Sequence, residues 1–466
     1  MPKKYAIVTL LIIFPLIVGL GCRFTNGQDP TATPSEEPLV IVEMTDEPTV
    51  VPTLMIETQA VQEVEPTPEP TKVPDGLVAL ENSHWIQDDS TVFVGYLFEN
   101  PASDILYENV EFTIRLLGRD GNLIDSGHVF LPWFFPNETR GVVYTFWLAD
   151  ESVAVDSVAV DWTFEGKLSP EEFANPFTSD NVVYWDNDGF PIVTGRVVNQ
   201  SGTTYREIRV DMVGYDSSGV IVGGGSTYID FIHLNDYMGF HGYVDVFGDV
   251  TRVEVFPTLT ISSLVVDKTD FYSEISVLDF YFYEDDFGYM MGGMVVQNET
   301  DAVLRNSMVY VTFYDADGNI ATVGSIFVDM ILPGETLGIS PWISIVPEET
   351  SGRDLDILFL PGETDPGYEL SSNPFRVNSA TVTGDFNNYV RVNFTNTYSK
   401  QVSELDVYVL VYNAAGEIIG GGSAWTDGPT PPGGTSETDV WIGYGVGQSI
   451  DSIQAWVVPS YWTEFE

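Results

Sequence analysis

The chain has 466 residues, too many for one compact core and enough for three or four domains. Its 69 acidic against 18 basic residues give a formal net charge of -51, which excludes nucleic acid as a partner because phosphate binding needs clustered Lys and Arg. The single cysteine, Cys22, excludes an intramolecular disulfide and a thiolate metal cluster, and His84, His128, His233 and His241 fall in no metal-ligating spacing.

The N-terminus reads as an address. Lys3 and Lys4 precede an apolar run from Tyr5 to Leu20, followed by Gly21 and Cys22. A positive start, an apolar stretch and small residues at the cut predict a secretory signal over residues 1–21. The run is shorter than the roughly 20 residues that span a bilayer as a helix. Gly19-Leu-Gly-Cys22 resembles the lipobox of bacterial lipoproteins, with Gly19 where that family usually has Leu. The resemblance implies lipidation of Cys22 and an extracytoplasmic protein tethered to the cell membrane or cell surface by its N-terminal lipid.

Residues 22–76 are rich in Pro, Thr and Glu, as in Glu65-Pro-Thr-Pro-Glu-Pro-Thr-Lys-Val-Pro74. Proline removes backbone donors and the glutamates repel one another, so this stretch is expected to be a disordered linker.

The remainder repeats itself. An Asn closes an apolar strand at Asn100, Asn199, Asn298 and Asn396, at intervals of 99, 99 and 98 residues. An alternating strand comes next each time: Val110 to Leu116, Ile208 to Tyr215, Met308 to Tyr314 and Leu405 to Tyr412. The alternation of Val309, Val311 and Phe313 with Tyr310, Thr312 and Tyr314 predicts one face toward a core. Turns with Asp or Asn first and Gly fourth succeed these strands, Asp216 to Gly219, Asp315 to Gly318 and Asn413 to Gly416, the pattern of a type I turn. About seven short strands per repeat predict an all-β chain of four tandem immunoglobulin-like β-sandwich domains, over 77–166, 172–262, 268–363 and 371–461. Asn175-Pro-Phe177 and Asn373-Pro-Phe375 mark two of the joints.

The Asn-terminated strand, the strand ending in Tyr-Asp, the turn Gly and the Gly-containing strand together resemble the FxLYD domain of prokaryotic secreted and lipid-anchored proteins. Val311-Thr-Phe-Tyr-Asp315 and Val409-Leu-Val-Tyr-Asn413 carry the pattern best, without its leading Phe. The resemblance implies a β-sandwich and no particular activity.

Three chemistries suggest themselves. Acidic turns place Asp186 and Asp188, Asp285 and Asp286, and Asp315 and Asp317 close together, the oxygen-rich arrangement that hard cations such as calcium favour; hairpin turns select the same residues for conformation alone. Trp133, Phe134 and Phe135 lie between two prolines, where three consecutive side chains cannot all point inward, and form the candidate ligand platform. Gly223 to Gly225 and Gly420 to Gly422 lack the Lys-Ser or Lys-Thr of a phosphate loop and point to a bulge or close strand crossing. No catalytic residues and no required cofactor are expected. The expected function is a non-enzymatic, surface-anchored lipoprotein whose repeats bind, or merely space, at the cell envelope, with an envelope polymer, glycan or protein as partner. The alternatives are an accessory component of extracellular glycan binding or hydrolysis and a calcium-stiffened rod.

Overall fold

The computed structural model describes residues 76–466 other than 81–82, 169–173, 187–188, 261–264, 267–274, 286–288, 342, 344–353, 361–362, 366–367, 369, 385–387, 427 and 446. The signal, Cys22 and nearly all of the linker lie outside the described residues. Every regular element described is a β-strand.

Eight antiparallel sheets form, two from each of four successive stretches of chain. In the second stretch, Ile192–Asn199 is the centre of a sheet, between Phe177–Trp185 and Tyr237–Tyr243. Thr204–Tyr215 is the centre of the other, between Ile221–Ile232 and Arg252–Leu259. The other stretches repeat this plan. The Asn strands are Thr91–Glu99 (which stops one residue short of Asn100), Ile192–Asn199, Met290–Asn298 and Tyr389–Asn396. The long strands are Leu106–Leu117, Thr204–Tyr215, Val303–Tyr314 and Val402–Tyr412. Each long strand turns back into a hairpin strand: Leu123–Phe134, Ile221–Ile232, Ile320–Ile331 and Ile418–Trp425. A return strand then rejoins the Asn strand: Thr139–Trp147, Tyr237–Tyr243, Thr336–Ile339 or Thr435–Trp441. Among the described residues each sheet pair therefore has six main strands rather than seven. In the first three pairs a short return such as Gly166–Leu168 or Val265–Val266 pairs with the start of the long strand, and in the fourth the closing strand Ser452–Phe465 itself runs on to do so.

The recurrent Asn is the corner of every sheet pair. All four are fully buried. The Asn298 amide donates to the carbonyls of Ala302 (2.9 Å) and Ile331 (3.0 Å), while its Oδ1 accepts the Thr300 N–H (2.9 Å). Asn100 does the same with Ile105, Phe135 and Ala102, Asn199 with Thr203, His233 and Ser201, and Asn396 with Lys400, Thr430 and Tyr398. One side chain thus ties the end of the Asn strand to the crossover loop and to the exit of the hairpin strand. Only a carboxamide supplies both donors and an acceptor at that point.

The turns are built as expected. Asp216, Asp315 and Asn413 each accept two backbone N–H groups on Oδ1, and the fourth-position Gly219, Gly318 and Gly416 take φ of 85°, 82° and 81°. The long strands begin four or five residues earlier than their alternation suggests, three in the fourth. The cause is a left-handed residue near their start, Asn109, Glu207, Asn306 or Glu404, with φ between 52° and 56°. In the first three pairs that residue and the one opposite it drop out of the ladder, and the pairing resumes beyond them in the same register.

The sheet pairs also stack on one another. The Asn and return strands of one pair face the long and hairpin strands of the next. A Cβ on Gly141 would lie 2.3 Å from Val213, one on Gly239 3.1 Å from Ile320, and one on Gly338 2.2 Å from the Trp456 ring. The long strands of the last three pairs are consequently buried on both faces: Tyr310 and Thr312 are covered along with Val309, Val311 and Phe313. The expectation of a single buried face is corrected here, because the second face is occupied by the preceding pair. The glycine triplets are close crossings. A Cβ on Gly225 would meet the Tyr243 carbonyl at 2.3 Å, and one on Gly224 the Val143 side chain of the first pair at 2.7 Å.

At the two ends the pattern changes to polar. Arg391 and Glu437 hold the positions that face the next pair elsewhere through Gly293 and Gly338. Arg391 makes a two-pronged ion pair with Asp439 at 2.8 Å on an exposed face. The outer face of the first long strand carries Glu111, beside His128 at 2.9 Å, and Arg115, paired with Asp161.

Asn298→Asp keeps the size of the corner residue but removes its donors, leaving buried carbonyls unpaired at about 1–3 kcal/mol each. It should lower the first urea-unfolding midpoint of the full chain as much as Asn298→Ala does. A well-tolerated aspartate would show that the clamp does not matter.

Candidate functional site

A cavity of about 820 Å³ opens where the third and fourth sheet pairs meet. Phe327 reaches it from the hairpin strand Ile320–Ile331, Tyr289 from the residue before Met290–Asn298, and Trp441 from the end of the return strand Thr435–Trp441. Tyr444 closes it from the short strand Gly443–Tyr444, which crosses Gly420 and Gly421. Gly421 and Gly422 form part of the wall, where a Cβ would collide with the Val409 and Trp441 carbonyls at 2.3 and 2.0 Å. Phe327 and Trp441 remain close to half exposed, so their rings are available to a ligand. Asp285, Ser325, Asn388, Ser423 and Gln448 add polar groups, and no Lys or Arg lines the cavity among the described residues. An aromatic wall with a few convergent amide, hydroxyl and carboxylate groups suits a neutral, hydroxyl-rich or amine-bearing ligand.

The cavity is braced from beneath. The Tyr283 hydroxyl donates to the Ile419 carbonyl at 2.9 Å and accepts the Gly445 N–H at 2.8 Å, so one phenol joins the two pairs. Burial pushes its pKa up to about 12, which keeps it a donor. Ser340 Oγ donates to the Gly292 carbonyl at 2.7 Å.

Asp329 from the third pair and Asp406 from the fourth meet in the same interface, both almost fully buried. The Tyr408 hydroxyl donates to Asp406 at 3.5 Å, and the Tyr461 N–H donates to Asp329 at 3.4 Å. Desolvation, reinforced by the Asp329 charge, pushes the Asp406 pKa up to about 7. Asp329 is raised as well, by burial. Burial and the neighbouring carboxyl both disfavour ionising the two acids together.

The residues singled out in the sequence are dispersed. Phe134 is buried in the first core and Phe135 in the second, while Trp133 packs half-buried against the second. The expected aromatic platform is therefore corrected: the run straddles two cores, and consecutive side chains do point inward, each into a different one. Asp315 accepts the N–H groups of Asp317 and Asn319, and Asp285 that of Tyr289, so both shape turns. Asp186 lines a second cavity of about 670 Å³ with Asp245 and Asp249. Asp188 and Asp286 lie outside the described residues. Among the described residues, no three His, Cys, Asp or Glu side chains come together so as to hold a metal ion. Tyr289, Phe327 and Trp441 were not singled out by sequence, because no single repeat contains the whole cavity. Compared with known proteins, the chain matches no family model and no curated protein sequence.

The raised Asp406 pKa has a defined sign. The folded chain keeps a proton that an unfolded Asp, with pKa about 3.9, releases, so this stability is present below about pH 4 and lost as pH rises toward about 7. Asp406→Asn removes the titration. The difference in melting temperature between pH 5 and pH 8 should be smaller in this variant than in the parent; equal differences would contradict the raised pKa.

Proposed function

We propose that this is a non-enzymatic, lipid-anchored envelope protein whose four immunoglobulin-like sandwich domains form a closed, multivalent binding scaffold. The domains would be those of the sequence boundaries, 77–166, 172–262, 268–363 and 371–461. Their support is the division of the sheets into four pairs, each with its own main core. The anchor rests on Lys3, Lys4, the apolar run and Cys22.

The observation that carries the reading is the stacking with polar ends. Interior faces are built largely of glycines and apolar side chains with a few buried, hydrogen-bonded polar groups, whereas Arg391, Glu437 and Asp439 at one end and Glu111, Arg115 and Asp161 at the other present exposed charged faces. Terminal units with polar outer faces are what a finite array of stacked repeats requires. A stack fixed in this way holds surface sites at constant spacing, so that weak contacts on successive domains add through effective concentration. The cavity between the third and fourth pairs is the best-formed of these sites, with Trp441 as its ligand-facing anchor.

The full chain should be retained by at least one envelope polymer fraction. Trp441→Ala should weaken that retention about tenfold at unchanged melting temperature, the effect expected from losing one stacked aromatic. Equal retention of parent and variant would remove the cavity from the account, and no retention by any fraction would leave a spacer.

A further inference from the structure

Each sheet pair exposes one aromatic side chain at the same place. Phe130, Tyr228, Phe327 and Trp425 lie on the four hairpin strands, opposite Glu111, Arg209, Met308 and Asp406 of the long strands. Each of those partners stands two residues after the left-handed residue and five before the register shift at the turn, so the four positions are structurally equivalent. The aromatics recur at intervals of 98, 99 and 98 residues. Their exposures are 38, 58, 48 and 75%.

Packing does not account for this recurrence. The residue opposite is an acid, a base, a thioether and an acid in turn, so no preserved cross-strand contact selects the ring. Exposed aromatics on outer strands also invite non-specific association, and proteins commonly place charges there instead. A single exposed ring would need no explanation; one at the same register of every pair does. The ring is held by a strand and loses little freedom on binding.

We propose that these four aromatics are equivalent subsites for a repeating neutral polysaccharide, each ring stacking against the apolar C–H face of one sugar. The inference rests on the multivalent-scaffold reading and names its ligand class. Repetition of the site favours a repeating ligand, because one weak stack per domain becomes useful only when a single polymer engages several. The net charge of -51 disfavours anionic polymers. Phe327 belongs also to the cavity between the third and fourth pairs, where Asn388, Ser325 and Ser423 supply hydrogen-bonding groups for hydroxyls.

The test is affinity electrophoresis of the full chain in gels containing β-1,4-glucan, β-1,3-glucan, mannan or soluble chitin derivative, with polygalacturonate as the anionic control. Retardation is expected in at least one neutral gel and not in polygalacturonate. Phe130→Ala, Tyr228→Ala, Phe327→Ala and Trp425→Ala should each weaken it several-fold. The quadruple variant should lose it by about a hundredfold or more while keeping the parent melting temperature. If the quadruple variant fails to fold, the four singles carry the test: graded losses support the ladder, and four parent-like mobilities overturn it. A quadruple variant retarded like the parent, with loss only in Trp441→Ala, would overturn the ladder and leave the cavity reading intact. No retardation in any neutral gel would overturn the ligand class, and retention on a proline-rich peptide resin alone would do so as well.

Discussion

A buried carboxamide that must satisfy its donors and its acceptor at once is the constraint on which this architecture depends. Asn100, Asn199, Asn298 and Asn396 are fully buried, and each bonds to the same three backbone sites. Because the cost of an unpaired buried polar group is steep, the crossover loop and the hairpin exit must both come to the Asn. That meeting fixes where the chain leaves one sheet and enters the other. The long strand, its left-handed residue and its hairpin turn then come at fixed distances, and so does the place where each hairpin strand presents its outward residues.

Stacking adds a second level of order. Glycine on the return strand lets the next sheet approach to a distance that any side chain would block, and the apolar residues opposite fill the space. Buried polar contacts set how the pairs seat. Arg140, with no exposed surface, donates to the Phe256 and Pro257 carbonyls of the next pair and is paired with Glu138 at 2.9 Å. The two Asn-Pro-Phe joints serve the same purpose. Asn175 donates to Glu138 and Pro257, and Asn373 bonds to Glu335 and Val457, so each joint binds the loop of the pair before it to the closing strand of its own. Removing charge from a chain of this acidity would not by itself build such contacts; they need the geometry that the stacked faces supply.

Much of this was legible in the sequence because it is local. The Asn period, the Asp-to-Gly turns and the alternating strands each leave a mark within a few residues, and the all-β character derives from them. Contacts between pairs leave weaker marks. Tyr310 and Thr312 read as a solvent face because alternation alone does not reveal that a second sheet lies over it. Trp133, Phe134 and Phe135 read as a displayed patch because the run lies where two cores adjoin. The glycine of the return strand did carry a signal: Gly141, Gly239 and Gly338 give way to Glu437 in the fourth repeat, whose face carries the exposed Arg391–Asp439 ion pair. The cavity residues come from two repeats and from different strands, so no motif within one repeat would have gathered them.

The central claim is that successive sheet pairs are coupled through these glycine faces. Hydrogen exchange with mass spectrometry on a Gly338→Val variant tests it most directly, since any side chain there collides with Trp456 of the fourth pair. Coupling predicts faster exchange in both the third pair and the long and closing strands of the fourth, residues 402–412 and 452–459. A change confined to residues 275–365 would contradict it and leave the sheet pairs as independent beads.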